Sequence, residues 1–301
     1  MQAGSHLVKK CLGRDDAAIF QRVRVFLFDC DGVIWKGAEP IPGSIETLNY
    51  LKKIGKSVYF LTNNSTKSRS ETLQKLQNMG VQSTLDEVIT SSYATAQYLN
   101  REGERGPVYV VGERGIYEEL EAVGIPCCGL EDNGRSDISV LAAMDSRVRT
   151  VVVGLDRCIN YVKLSRAASY VRDFGCRFVA TNTDGSFPNA GGILSGGSGC
   201  MVAAIAAASG KQPDCVIGKP SSFFIDLVRA QRPDVGLDEI MMVGDRLDTD
   251  IAFARANHIQ SLCVLSGISS EKAILEADAS CAPSFYSSSL QVVKTLLESS
   301  V

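Results

Sequence analysis

Short apolar runs rich in β-branched and aromatic residues alternate with longer segments of helical period, and this alternation constrains the fold more than any other feature. The first two runs cover 23–28 and 57–62, and a helical segment at 44–55 separates them. Runs that are apolar on both faces are typical of parallel strands covered by helices on both sides. The sequence therefore predicts an α/β fold with a doubly wound, Rossmann-like parallel sheet.

The alternation continues for longer than one small sheet requires. Gly55 and Gly80 stand where helices should end. A chain of 301 residues has room for two α/β bodies, and we expect a core and a smaller second domain. Further strands are predicted at 87–91, 107–111, 138–142, 148–155, 176–180, 215–218, 240–243 and 261–265.

Charge and composition exclude several classes of partner. The net charge is −3 on 31 basic and 34 acidic side chains with no block of one sign, which argues against a nucleic-acid partner. No window approaches the roughly 20 apolar residues that cross a bilayer, so we expect no membrane partner. Ten scattered cysteines without a CxxC pair and only two histidines argue against a zinc site or a disulfide framework.

The compartment is predicted from the cysteines and the N-terminus. Scattered cysteines fit a reduced compartment, and the first twenty residues lack the apolar stretch of a secretory signal. We therefore expect a cytoplasmic protein. Whether residues 1–20 are a native targeting segment, which would make the protein organellar, or a cloning remnant stays open.

Polar residues follow four of the predicted strands. Ligands of open parallel sheets bind at the carboxyl ends of the strands, so these residues should meet at one edge. Each motif alone is weak evidence, because an Asp-x-Asp pair is common and acids after a glycine are usually a helix cap in a solvated loop. Together they supply carboxylates, a hydroxyl, amides and one ammonium: Asp29 and Asp31, then Thr62, Asn63 and Asn64, then Lys219, then Asp245, Asp248 and Asp250.

This set of side chains predicts a metal and a phosphate. In an extended segment Asp29 and Asp31 point to one side and Cys30 to the other. Carboxylates packed together raise one another's pKa unless a cation joins them. Hard oxygen ligands indicate Mg²⁺, which pairs naturally with a phosphate substrate. Lys219 would then act on phosphate oxygens, and Thr62 with the backbone N–H groups after it could cradle them.

The motifs resemble those of a known superfamily. Four stretches, FDCDGV, LTNNSTKS, GKPSSF and MVGDRLDTDI, resemble in this order the four motifs of the haloacid dehalogenase superfamily of aspartate-nucleophile phosphatases. The branch of phosphoglycolate phosphatase and pyridoxal (4-nitrophenyl) phosphatase is similar in DCDGVIWKG, NNSTKSR, ATNTDGSFP and GGSGCMVAAI. The likeness covers about residues 23–268.

The resemblance implies a domain organisation. The catalytic core would comprise 1–106 and 214–301, and a smaller α/β cap at 107–213 would be inserted between the second and third motifs. Such a cap closes over the site and excludes water. The resemblance also implies a homodimer formed through the cap.

The resemblance assigns roles to the residues of the first motif and to the metal ligands. Asp29 would be the nucleophile that forms an aspartyl-phosphate. Asp31 would protonate the leaving oxygen and then activate water as a base. Mg²⁺ would be held by the Asp29 carboxylate, the backbone carbonyl of Asp31 and Asp245.

The other motif residues would support this site. Asp250 is expected to bind a metal water or Lys219, with Asp248 supporting it. Lys219 would balance the negative charges of Asp29 and the substrate. Thr62, Asn63 and Asn64 would bind the transferring phosphate.

The resemblance implies that the residue three positions after Asp184, which is Phe187, helps to select the substrate. A phenylalanine ring cannot donate a hydrogen bond as a histidine could, which favours a small acid over pyridoxal phosphate. A role of Phe187 as a core aromatic stays open, as does the role of the glycine-rich loop 191–199.

The sequence thus predicts a Mg²⁺-dependent phosphatase acting on a small-molecule phosphate ester, with 2-phosphoglycolate as the first choice. Pyridoxal phosphatase and a broad 4-nitrophenyl phosphatase are the alternatives. A non-catalytic phospho-aspartate signalling module is more remote, because such modules are much shorter and have no need of a second acid at Asp31.

Overall fold

The computed structural model describes residues 9–10, 14–188 and 193–299. Gly191 and Gly192 of the glycine-rich loop, and residues 1–8 and 11–13 of the N-terminal segment, lie outside the described residues. The strands are β1 (Lys9–Lys10), β2 (Val25–Phe28), β3 (Trp35–Lys36), β4 (Glu39–Pro40), β5 (Ser57–Thr62), β6 (Val88–Thr90), β7 (Val108–Val111), β8 (Cys127–Cys128), β9 (Thr150–Val153), β10 (Arg177–Ala180), β11 (Ser186–Pro188), β12 (Leu194–Gly196), β13 (Cys215–Val216), β14 (Ile240–Gly244), β15 (Gln260–Val264) and β16 (Phe285–Ser287). The α-helices are α1 (Arg14–Arg22), α2 (Ser44–Lys53), α3 (Arg69–Asn78), α4 (Ser91–Arg101), α5 (Arg114–Ala122), α6 (Tyr161–Arg172), α7 (Ser198–Ser209), α8 (Phe223–Gln231), α9 (Ala252–Ala256), α10 (Glu271–Leu275) and α11 (Gln291–Glu298).

The chain forms two compact α/β units, and the second is inserted in the sequence of the first. The first unit contains the chain up to Thr62, Leu73–Ile89 and the chain from Lys219 onward. The second unit contains Asn63–Thr72 and Thr90–Gly218. The domain bounds 1–106, 107–213 and 214–301 stay a prediction from the resemblance.

The first unit is built on a seven-stranded sheet in the order β1-β16-β15-β14-β2-β5-β6. Strand β2 lies between β14 and β5, parallel to both, with Phe28 opposite Val243 on one side and Phe60 on the other. All four residues of β2 are buried, because helices cover both faces of the sheet. The chain leaves β2 toward one edge and returns to β14 on its other side, which creates the topological switch point where such sheets bind ligands.

The second unit has its own sheet and core. Five parallel strands run in the order β13-β10-β9-β7-β8, and β11 pairs with β12 as an antiparallel hairpin. Its core includes Tyr109, Val151 and Phe178, all fully buried. The predicted α/β class is therefore confirmed in both units.

Two local predictions have opposite outcomes. Gly55 and Gly80 follow α2 and α3 with φ of 81° and 89°, so the predicted helix ends are confirmed. The strand predicted at 138–142 is wrong, because Ile138–Ala142 is a 3₁₀ helix. Asp137 caps that helix by accepting a hydrogen bond from the backbone N of Ser139 at 2.9 Å. Ile138 is 53% exposed, so this apolar run is not a buried strand at all.

Within the described ranges, none of the helices combines the length and apolar character needed to cross a membrane.

Candidate active site

Three buried carboxylates meet at the carboxyl ends of β2 and β14. Asp29 directly follows β2, and its backbone N donates to the carbonyl of Val243 at 2.9 Å. Asp245 directly follows β14, and Asp250 lies on a single π-helical turn at Leu247–Ile251. One carboxylate oxygen of each acid lies within 4.8 Å of the others. The structure therefore brings together Asp29, Asp245 and Asp250, three of the acids that the sequence places after strands.

Lys219 joins two of these acids. Its Nζ donates to Asp29 Oδ1 at 2.5 Å, to Asp250 Oδ1 at 2.7 Å and to the carbonyl of Leu61 at 3.0 Å. Burial alone would lower the pKa of the ammonium, but the charges of Asp250 and Asp29 outweigh burial and raise the pKa above its ordinary value. Lys219 is therefore a permanent cation that holds Asp29 in one orientation.

Asp250 is held by backbone donors as well as by Lys219. Its Oδ2 accepts hydrogen bonds from the backbone N of Asp245 at 3.2 Å and of Arg246 at 3.1 Å. Asp248, two residues earlier, is different: its carboxylate is exposed and pairs with Arg246 at 2.6 Å. Both carboxylate oxygens of Asp250 therefore accept hydrogen bonds from the protein, which suits a residue that positions Lys219.

Asp245 has one oxygen that the protein leaves unsatisfied. Its Oδ2 accepts from the backbone N of Ile268 at 2.8 Å, whereas the buried Oδ1 has no hydrogen-bond partner in the described part of the chain. Burial, with the nearby charge of Asp250, raises the pKa of Asp245 to about 7. Burial likewise raises the pKa of Asp29, and Lys219 opposes that rise. A cation would satisfy the open oxygen and lower both pKa values, so the donor set fits Mg²⁺.

Two glycines let the backbone approach Asp245 closely. A Cβ on Gly32, which has a φ of +84°, would lie 2.4 Å from Asp245 Oδ2. A Cβ on Gly267 would lie 1.9 Å from the same atom. The loops after β2 and β15 therefore fix the position of this carboxylate.

Asp31 and Cys30 lie on different sides of the first motif. The Asp31 carboxylate is exposed and is not one of the three clustered acids; its Oδ1 accepts a hydrogen bond from the indole Nε1 of Trp35 at 2.8 Å. Cys30 is fully buried in the core of the first unit, and burial raises the pKa of its thiol well above the ordinary value. The thiol is therefore a packing residue with little thiolate character.

The predicted phosphate-binding residues divide between the units. Thr62 ends β5 in the first unit and is buried. In the second unit Asn63 donates through Nδ2 to the carboxylate of Asp184 at 3.1 and 3.3 Å. The side-chain oxygen of Asn64 accepts from the backbone N of Thr66 at 2.8 Å.

Phe187 lies on β11, half-buried and opposite Ser195 of β12. Asp184 precedes this hairpin and accepts from Asn63, so the TNTD segment is tied to the second motif within the second unit. The predicted reading of substrate by Phe187 stays a prediction.

Sequence reasoning missed two contributors to the site: the indole donor of Trp35 and the backbone N–H of Ile268. A signal for the second was present, because Ser266 and Gly267 also follow a strand of the same sheet, β15. The sequence pattern did not show the hydrogen bond of Trp35, since that bond depends on the turn from Asp31 to Trp35.

Comparison with known proteins agrees with this geometry. A family model described as haloacid dehalogenase-like hydrolase matches residues 26–126, and a second model of the same type matches 216–293. Phosphoglycolate phosphatase 2 of Arabidopsis thaliana is 40% identical over 295 residues, which cover 94% of this chain and 96% of that protein. The glycerol-3-phosphate phosphatase of Homo sapiens is 38% identical, over 84% of this chain and 82% of that protein.

Solved structures are similar across both units. The 4-nitrophenylphosphatase of Thermotoga maritima superposes with a TM-score of 0.81 at 28% identity, over 93% of this chain and 99% of that chain. A glycerol phosphate phosphatase of Mycobacterium tuberculosis in complex with magnesium has a TM-score of 0.78 at 30% identity, over 91% of this chain and 77% of that chain.

Proposed function

The chain belongs to the haloacid dehalogenase-like hydrolases and is a phosphatase, and we propose that it is a Mg²⁺-dependent phosphomonoesterase whose substrate is 2-phosphoglycolate. One observation carries the proposal: Lys219 bridges Asp29 and Asp250 beside a buried oxygen of Asp245 that the described residues leave unpaired. This arrangement supplies an oriented nucleophile, a fixed positive charge and an open oxygen ligand in one buried place.

In the first half-reaction a carboxylate oxygen of Asp29 attacks phosphorus. A new P–O bond forms to Asp29 as the ester P–O bond breaks, and the electron pair of that bond moves to the leaving oxygen. The Asp31 carboxyl gives its proton to that oxygen, so the alcohol leaves neutral. Lys219 favours the anionic form of Asp29 and orients its carboxylate, because it donates to one of its oxygens at 2.5 Å.

In the second half-reaction water attacks the aspartyl-phosphate. Asp31, now ionised, takes a proton from the water as its oxygen bonds to phosphorus. The bond between phosphorus and Asp29 breaks, and the electron pair returns to the carboxylate. Inorganic phosphate and the starting state of both acids result.

The proposed metal ligands are the carboxylates of Asp29 and Asp245 and the backbone carbonyl of Asp31. When bound, Mg²⁺ would neutralise charge on the phosphoryl oxygens. The open Oδ1 of Asp245 supports this assignment, and so does the magnesium complex of a related phosphatase. Asp250 stays in a supporting position, bonded to Lys219 and to two backbone N–H groups.

The choice of substrate rests on the relatives and on Phe187. The relatives are named for phosphoglycolate, glycerol 3-phosphate and 4-nitrophenyl phosphate, which are all small phosphate monoesters. The relative named for phosphoglycolate matches at 40% identity over nearly its whole length. The apolar Phe187 provides no donor for a pyridine ring, so we favour 2-phosphoglycolate over pyridoxal phosphate. Thr62, Asn63 and Asn64 are the proposed phosphate ligands on the evidence of their motif.

The test is kcat/KM across about 50 phosphate esters, measured with Mg²⁺ and with chelator. We expect hydrolysis that requires Mg²⁺ and a maximum at 2-phosphoglycolate. Absence of hydrolysis of every ester with Mg²⁺ present would refute the phosphatase proposal. A flat profile would refute only the choice of substrate.

Two further proposals rest on composition and resemblance. We propose a homodimer formed through the cap, which light scattering after gel filtration would test. A monomer at micromolar concentration would contradict it. A cytoplasmic location is proposed from the scattered cysteines, and fractionation of cells expressing the protein would test it.

A further inference from the structure

The indole of Trp35 is fixed against the carboxylate of Asp31. Trp35 is the only tryptophan in the sequence and is 3% exposed. Its Nε1 donates to Asp31 Oδ1 at 2.8 Å. The backbone holds both ends of this contact, since the N of Gly32 donates to the carbonyl of Trp35 at 2.8 Å and the N of Trp35 donates to the carbonyl of Cys30 at 3.2 Å.

Lys75 lies over the face of the indole ring. Its Nζ lies 3.8 Å from the centre of the Trp35 ring and donates to the carbonyl of Gly37 at 2.9 Å. A cation over the face of a tryptophan is attracted by the ring quadrupole. The indole ring thus lies between the ammonium of Lys75 on α3 and the turn that carries Asp31.

We propose that Trp35 is a positioning residue for Asp31, with Lys75 holding the indole in place; this inference rests on the proposed function. The Asp31 side chain is exposed, and proton transfer requires it within hydrogen-bond reach of the leaving oxygen. The indole N–H is a donor only, so it selects Oδ1 as the acceptor oxygen. The proton to be transferred is therefore placed on Oδ2.

The inference has a specific chemical consequence. An alkoxide such as that of glycerol phosphate is a strong base and leaves only when it is protonated. The 4-nitrophenolate anion is a weak base and leaves with little help. Loss of the positioned acid should therefore reduce kcat/KM far more for the alkyl ester than for the aryl ester, whereas a purely structural defect would reduce both alike.

The first experiment compares Trp35→Phe with the wild type on glycerol 3-phosphate and 4-nitrophenyl phosphate at saturating Mg²⁺. Trp35→Phe keeps an aromatic ring and removes the donor. We expect kcat/KM for the alkyl ester to fall about tenfold more than for the aryl ester. An equal loss on both esters would overturn the inference while leaving the phosphatase proposal intact. A wild type that hydrolyses no ester of the panel described above with Mg²⁺ present would refute the proposed function itself, and with it this inference.

Variants of Lys75 keep the inference testable if circular dichroism shows that Trp35→Phe is unfolded. Lys75→Met leaves the indole donor in place but removes the cation, and we expect a shift of about threefold in the same direction. Lys75→Arg should restore the wild-type ratio of the two esters. Lys53→Met, at an exposed position on α2, is the matched control and should change neither ester. An unchanged ratio in Lys75→Met would overturn the part assigned to Lys75, and with an unfolded Trp35→Phe it would overturn the whole inference.

Discussion

The Nζ atom of Lys219 lies 2.7 Å from Oδ1 of Asp250, and both side chains are 1% exposed. Two charges are rarely buried so completely unless each is paired and hydrogen-bonded. Here the pair gains a second acid, Asp29, which makes the ammonium the shared partner of two carboxylates. The stability of the site and its proposed chemistry therefore both depend on the side chain of Lys219.

Lys219→Met should lose both stability and activity. Removing one partner of a buried pair leaves uncompensated charge, which costs about 3–5 kcal/mol in free energy of unfolding. Activity should fall by about 10²–10³ because a fixed positive charge is lost. Urea denaturation and steady-state kinetics measure the two effects. Lys52→Met is the control, since the pair of Lys52 with Glu87 is partly exposed and should contribute less than about 1 kcal/mol. Similar losses of stability in both variants would contradict the prediction.

Asp29→Asn should abolish turnover while the fold survives. The amide oxygen is a poor nucleophile, so no phosphoenzyme should form. Acid quenching with radiolabelled substrate measures this directly, and phosphate bound to the variant would refute the role of Asp29. Cys30→Ala is the neighbouring control: the buried thiol packs in the core, so we expect most activity to remain and about 1 kcal/mol of stability to be lost.

The sequence was sufficient to predict the parts of the site that depend on strand ends. Asp29 and Asp245 follow β2 and β14, which are neighbouring parallel strands of one sheet and therefore end at one edge. Lys219 also follows an apolar run, but that strand, β13, belongs to the sheet of the second unit, so the strand-end rule does not account for its contact with Asp29. The pattern failed at 138–142, because a short apolar run does not show whether it is buried. It also could not show that Trp35 donates to Asp31 or that Ile268 donates to Asp245, since both contacts depend on turn geometry rather than on periodicity.

The raised pKa of Asp245 predicts how stability depends on pH. Burial and the charge of Asp250 raise its folded-state pKa to about 7 from the ordinary value of 3.8. Between about pH 4 and pH 7 the folded protein then binds more protons than the unfolded chain, so the free energy of unfolding without metal should fall as pH rises, by about 3 kcal/mol. Mg²⁺ requires the ionised form, so its stabilising effect should grow over the same range.

Urea denaturation at pH 5 and pH 7.5, with and without Mg²⁺, tests this dependence. Asp245→Asn should weaken both the pH dependence and the effect of Mg²⁺. Asp248→Asn, at an exposed acid on the same turn, should leave both unchanged. Stability without metal that rises from pH 5 to pH 7.5 would show that Asp245 is not the dominant group.

Gly267→Ala should weaken metal binding more than it weakens the fold. The added Cβ would lie 1.9 Å from Asp245 Oδ2, so the carboxylate or the loop after β15 must move. We expect the concentration of Mg²⁺ for half-maximal activity to rise about tenfold. Gly55→Ala is the control: its φ of 81° makes alanine strained, but nothing lies within 4 Å of the new Cβ. That variant should lose about 1 kcal/mol of stability and keep its Mg²⁺ dependence; a change of Mg²⁺ dependence in both would mean that general destabilisation is the cause.

Phe187→His should change substrate preference if this position reads the substrate. The imidazole adds a donor that can bond a polar group of pyridoxal phosphate, and one such bond is worth about tenfold in affinity. We expect the ratio of kcat/KM for pyridoxal phosphate over 2-phosphoglycolate to rise by about that factor. Phe174→His is the matched control, because Phe174 is 44% exposed just after α6 and should leave the ratio unchanged. If Phe187→His also leaves the ratio unchanged while the protein stays folded, Phe187 packs the β11–β12 hairpin and the choice of substrate is made elsewhere.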